Sequence, residues 1–188
     1  MTKIKNNALL QAISGKMGET HSYRKVRGKM YMVNLPEKGN PLRDDQKTFI
    51  TRFQRGVNYA KLQMEDPLAK EMYQKGITPR KHSAYLVALS DRLNAPQVHE
   101  IKVAEYNGGI GDSIVIDATD DFKVTRVRVT IFDPNDTQVE QGFAVQDLKV
   151  PERWVYTTTK ANPSAKGSTI SVTAFDTPQN ETTLEKVV

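Results

Sequence analysis

Cysteine is absent from the 188 residues. Disulfide cross-links, thiolate nucleophiles and thiolate zinc sites are therefore excluded together, which fits folding in a reducing compartment. Long apolar runs are missing too. No stretch approaches the roughly 18 apolar residues of a membrane helix. The N-terminal MTKIKNNALLQAISGKMG has apolar runs of only two or three residues, unlike a signal peptide. The expectation is a chain that is cytoplasmic at synthesis, has no membrane span, and would reach the outside by lysis or as part of a released particle or filament.

Histidine is scarce as well. His21, His82 and His99 fall in different stretches, with no H-E-x-x-H spacing. No G-x-S-x-G elbow or P-loop occurs. Gly108-Gly109-Ile110-Gly111 leads into the β-rich run DSIVIDA rather than a helix, so no helix N-terminus follows it to receive a phosphate; it reads as a turn. Asp133-Pro134-Asn135-Asp136-Thr137 begins like an EF-hand loop. Gln138 stands where that loop needs glycine and Ala144 where it needs glutamate, so this too reads as a hairpin turn. The sequence predicts no catalytic residues, no cofactor and no small-molecule substrate.

Charge is plentiful and unevenly placed. Residues 1–92 carry 18 Lys/Arg against 8 Asp/Glu, a net of +10, and residues 93–188 carry 9 against 14, a net of −5. Such asymmetry suits an acidic partner, or the acidic half of another copy, for the N-terminal half. A solvated basic surface is the plainer reading.

Residues 1–18 read as an arm whose apolar residues Ile4, Leu9, Leu10 and Ile13 are too few for a core. The stretch THSYRKVRGKMYMVN, 20–34, reads as a β-hairpin turning at Arg27-Gly28-Lys29. Its second strand is apolar on both faces, Met30 and Met32 on one and Tyr31 and Val33 on the other. A lone hairpin is marginal in water, so this one needs cover. After Pro36, Gly39 and Pro41, a helix is predicted over about 42–64, with Phe49, Ile50, Phe53, Val57, Ala60 and Met64 within one arc. Asp66-Pro67 opens a second short helix that Gly76 closes, and Ser83 opens a third that ends before Asn94-Ala95-Pro96.

Beyond Pro96 the apolar period changes from 3.6 to 2. Seven short strands separated by Asn/Asp/Gly/Pro turns follow, with His99, Ile101 and Val103 expected on the inner face of the first and His99 packed at a domain junction. This is a β-sandwich pattern. The fold class is therefore α+β: an N-terminal β-hairpin plus helices, then a C-terminal seven-stranded antiparallel sandwich. The expected parts are an arm (1–18), a basic hairpin-plus-helices domain (19–95) and a sandwich (96–188).

The stretches ATDDFKVTRVRVTIFD, WVYTTT and GSTISVTAFDTPQNETTLEKVV give, in order, A-x-D and a strand, then W-x-Y, then G-x-x-x-x-V-x-A-x-D-x-x-x-N. In this the chain resembles bacterial immunoglobulin-like (Ig-like) domains over about 93–188, without the cysteine pair of immunoglobulins proper. The resemblance implies a spacer, an adhesive module or a decoration on a larger structure. The N-terminal half resembles uncharacterised bacterial proteins with an SGKxG segment, a basic hairpin and a long helix, which implies no activity.

Three uses remain open. The first is a non-catalytic assembly protein, a homo-oligomer or part of a virion-like particle or filament. Its contacts would be Ile4, Leu9, Leu10, Ile13, Tyr23, Met30, Tyr31, Met32 and Val33. The second is a nucleic-acid-binding or packaging adaptor, with Lys3, Lys5, Lys16, Arg24, Lys25, Arg27 and Lys29 on phosphates and aromatics interleaved. The third is an adhesive or carbohydrate-binding module using Trp154 and Tyr156. No metal signature is present. Asp120, Asp121, Asp176 and Asn180 are a candidate Ca2+ oxygen set if two sandwich loops meet, although Asp and Asn more commonly cap turns.

Overall fold

The structure, a computed structural model, describes residues 2–3 (backbone alone), 15–35, 41 and 43–188. It divides into two compact units, Met1–Thr48 and Phe49–Val188. The change of period at Pro96 lies inside the second unit.

The first unit is built on the predicted hairpin. Strands β3 (His21–Val26) and β4 (Lys29–Asn34) pair antiparallel, from His21 opposite Asn34 to Val26 opposite Lys29. The two-residue loop between them has positive φ at both positions, 50° at Arg27 and 76° at Gly28, the combination that matches the twist of the flanking strands. The hairpin does not stand alone. β1 (Thr2–Lys3) pairs with β4 and β2 (Gly15–Met17) with β3, giving the order β1-β4-β3-β2. Both ends of the expected arm thus find partners within their own chain. The segment between them lies outside the described residues.

Helix α1 runs Asp44–Glu65, with Asp44 and Asp45 in its first turn, where carboxylates complement the helix dipole. Helix α2 (Pro67–Gln74) starts as the sequence predicts: Asp66 Oδ1 accepts from Leu68 N at 3.0 Å, and proline occupies the first turn. Helix α3 (Ala84–Leu93) is capped by Ser83, whose hydroxyl accepts from Leu86 N at 3.3 Å. Ala60, Tyr73, Ala84, Val87 and Ala88 form the helical core, and Phe122 from a sandwich loop packs against it. Gly56 lets α3 approach α1 so closely that a Cβ there would lie 3.0 Å from Leu89 and from Leu93. The apolar arc of α1 is covered unevenly: Ala60 is buried, while Phe49, Ile50 and Phe53 are exposed, Phe49 to 69%.

Residues beyond Pro96 form two antiparallel sheets packed as a sandwich. One has the order β5-β6-β10-β9 and the other β12-β11-β7-β8. The strands are β5 (Gln97–Lys102), β6 (Ser113–Thr119), β7 (Arg126–Phe132), β8 (Gln138–Phe143), β9 (Val145–Gln146), β10 (Arg153–Thr157), β11 (Thr169–Phe175) and β12 (Glu181–Val187). Ile114, Ile116, Trp154 and Tyr156 from the first sheet meet Val127, Val129, Ile131, Ile170, Val172 and Ala174 from the second in one core.

The expected run through Val139, Phe143 and Val145 does not stay in one sheet. Ala144 N still donates to Val127 O at 2.9 Å, beside β8, and the next two residues pair with β10 in the opposite sheet. The first strand departs from strict alternation as well. A bulge between Val98 and Glu100 shifts the register, so Val98 and Ile101 turn inward. His99 is exposed instead of packed at a junction, with Nε2 2.6 Å from Thr119 Oγ1.

Candidate functional site

Three carboxylates converge where β6 and β11 finish and the last turn of α3 lies against them. Asp91 shares the buried face of α3 with Ala84, Val87 and Ala88, residues at i, i+3, i+4 and i+7 of one helical stripe. Asp120 follows β6 and closes a turn, its Oδ2 accepting from Phe122 N at 3.0 Å and Lys123 N at 2.8 Å. Asp176 follows β11 and holds the next turn, accepting from Asn180 N and Asn180 Nδ2, each at 2.6 Å. One oxygen from each of the three lies within 4.8 Å of the others.

The polar accounting at this junction is incomplete. Tyr73 Oη donates to Asp91 Oδ2 at 2.7 Å, and the Tyr59 hydroxyl is 2.7 Å from that of Tyr73. Asp91 Oδ1 and Asp120 Oδ1 are buried with no partner, as is the hydroxyl of Thr177. Asp91 is 0% exposed. Among the described residues, no lysine, arginine or histidine forms an ion pair with Asp91, Asp120 or Asp176. Burial, with Asp120 and Asp176 nearby, pushes the Asp91 carboxyl up to about 8 against the pull of Tyr73. Burial also raises Asp176, and burial raises Tyr59 and Tyr73. The other buried carboxylate of the sandwich, Glu140, differs: Tyr156 Oη, Thr159 N and Thr159 Oγ1 donate to it at 3.1, 2.9 and 2.9 Å.

Of the four residues the sequence offered for a cation, two belong to this cluster. Asp121 turns outward to Lys81 Nζ, 2.6 Å away, and accepts from Ser90 and Asn94. Burial opposes ionisation of Asp121, yet these partners hold its carboxyl below the usual range. Asn180 accepts from Arg92 and donates to Asp91 O at 3.1 Å, tying the end of α3 to the β11–β12 turn. Asp91 was not among the candidates. Its signal was an acidic residue within the apolar stripe of a helix. A polar cavity of about 380 Å3, lined in part by Asn94, Thr119, Asp120 and Asp121, opens beside the cluster.

The other candidates are dispersed. Tyr23 and Met30 are buried, Tyr31, Met32 and Val33 half-buried. Lys16, Arg24, Lys25, Arg27 and Lys29 are exposed around the hairpin. Lys3 lies opposite Tyr31 in β1. Ile4, Lys5, Leu9, Leu10 and Ile13 lie outside the described residues. Trp154 and Tyr156 belong to the sandwich core, which leaves them no surface for a carbohydrate. The glycine loop after Asn107 is filled from within: Asp112 Oδ2 accepts from Asn107 N and Gly109 N at 2.7 and 2.8 Å.

No protein-family model and no curated protein matches the chain. Among solved structures, the crystal structure of CopC from Methylosinus trichosporium OB3b is similar at a TM-score of 0.36 and 7% identity, covering 48% of this chain and 87% of that one. Among the described residues, no helix is long and apolar enough to cross a membrane.

Proposed function

We propose that this is a non-catalytic assembly protein that self-associates or decorates a larger particle or filament through its N-terminal arm, its hairpin and an Ig-like sandwich of seven principal strands. The observation that carries this reading is the edge of the sandwich from Phe143 to Val150. Phe143 is 57% exposed, Val145 73% and Leu148 100%. Here β8 ends one sheet and β9 ends the other. Edge strands with free backbone groups and apolar side chains favour pairing with another chain. Opposite net charge on the two halves of the sequence favours a heterologous contact between copies, which builds rings or open filaments.

Sedimentation velocity over a wide concentration range tests this. The wild-type chain forms species larger than a monomer, and Val145→Lys with Leu148→Lys shifts them to the monomer. A wild-type chain that stays monomeric at every concentration overturns the reading.

The exposed Lys16, Arg24, Lys25, Arg27 and Lys29 favour a second reading, a nucleic-acid-binding or packaging adaptor. On that reading a mobility shift on DNA or RNA weakens steeply as salt rises. A shift that is absent, or indifferent to salt, removes it.

A further inference from the structure

We propose that Asp91, Asp120 and Asp176 form a binding site for one hard divalent cation of the Ca2+ class, which clamps the end of α3 to the β6–β7 and β11–β12 turns. Hard cations take oxygen ligands at about 2.3–2.6 Å, so two oxygens on one ion lie no more than about 5 Å apart. The three carboxylate oxygens meet that limit, all within 4.8 Å of one another. The second observation concerns what is missing around them. Asp91 is wholly buried, yet its Oδ1 has no donor, and neither has Oδ1 of Asp120. Buried carboxylates are costly unless paired or metal-bound, and among the described residues no cationic side chain forms an ion pair with any of the three. A single shared proton would neutralise one of three negative charges; a divalent ion neutralises two and satisfies both free oxygens.

The ligand chemistry selects the ion. All the available atoms are oxygens, with no imidazole or thiolate, which disfavours zinc and copper and favours Ca2+, Mg2+ or Mn2+. Ca2+ wants about six to eight ligands. A polar cavity lined by Asp120, with Arg52, Asn94 and Asp121 among its other residues, lies beside the trio and has room for water. Tyr73 then acts as a positioning residue: its hydroxyl donates to Oδ2 of Asp91 and fixes that carboxylate.

The test uses the full chain, stripped with EDTA and returned to metal-free buffer. Tb3+ is the first probe, because the ring of Tyr73 stands beside the site and would sensitise its luminescence. Ca2+ is the second, read as competition with Tb3+ and as thermal melting. Saturating Ca2+, about 100 times Kd, should raise Tm by about 5 °C or more. Asp120→Asn keeps an acceptor for its turn and loses charge; it should fold and lose the Ca2+ shift and most of the Tb3+ signal. Asp91→Asn should behave alike. Asp121→Asn, outside the trio, should melt lower but keep the Ca2+ shift. If Ca2+, Mg2+ and Mn2+ all leave melting as it is in EDTA, or if Asp120→Asn responds as wild type does, the proposal is wrong and shared protons hold the trio together.

Discussion

A carboxylate in the middle of a helix's apolar stripe is the least expected residue in this chain. Asp91 is tolerated there because the helical core supplies a donor. Tyr73, a fully buried residue of α2, donates a hydrogen bond to Asp91 Oδ2, and the Tyr59 hydroxyl completes the relay. The two hydroxyls are not equivalent. Removing that of Tyr73 strands a buried acceptor, whereas removing that of Tyr59 leaves Asp91 with its donor. Tyr73→Phe should therefore cost about 1–3 kcal/mol and Tyr59→Phe about 0.5–1.5 kcal/mol, read from urea midpoints at constant m. Equal losses in the two variants would show that the relay has no direction. The sequence made Asp120 and Asp176 legible as acids at strand ends, a position that favours turn capping. Asp91 was concealed because a helical pattern is read from its apolar members, and an acid among them carries no signal without knowledge of what packs against it.

At the scale of elements, caps and turns followed from local chemistry, and register did not. The Asp66 and Ser83 caps and the Arg27-Gly28 turn each depend on a few adjacent residues, so they could be read directly. The bulge at His99 inserts a residue in β5 with no glycine to announce it, and it reverses the face of everything before it. The uncovered front of α1 was equally hidden, since periodicity locates an apolar face but not its partner.

The β7–β8 turn offers a pH test of a legible element. Asp133 Oδ1 accepts from Asn135 N at 2.8 Å and Thr137 N at 2.9 Å, and these backbone donors hold its carboxyl below the usual range. A depressed folded value means the unfolded chain binds the proton more readily. The contribution is then fully present above the unfolded value, about 3.9, and disappears as pH falls through the folded one. Asp133→Asn keeps an acceptor oxygen and removes the charge. Its urea midpoint should lie below wild type at pH 7, and the gap should close below about pH 4. A gap that is unchanged at low pH would mean that geometry, not charge, stabilises the turn.

At the scale of the molecule, the change of period at Pro96 marks a change of element type, and it falls within one compact unit. Two observations join α2 and α3 to the sandwich. Phe122, from the β6–β7 loop, lies with its ring centroid 4.9 Å from that of Tyr73 and packs into the helical core. The network of Asp121, Asn180, Lys81, Ser90, Arg92 and Asn94 stitches α3 and the segments flanking it to two sandwich turns. Neither is visible in sequence, because each pairs residues tens of positions apart. The chain carries its own reporter for the consequence. Trp154, the single tryptophan, is buried in the sandwich core, while most far-ultraviolet helical signal comes from α1, α2 and α3. If helices and sandwich are one cooperative unit, tryptophan fluorescence and ellipticity at about 222 nm should trace the same urea transition. Phe122→Ala should lower both midpoints together, the shift corresponding at constant m to a loss of about 2–4 kcal/mol for a large side chain that is only partly buried. Helical signal lost at lower urea than the tryptophan signal, in wild type, would return the boundary to Pro96 and make the junction a contact between independently folding parts.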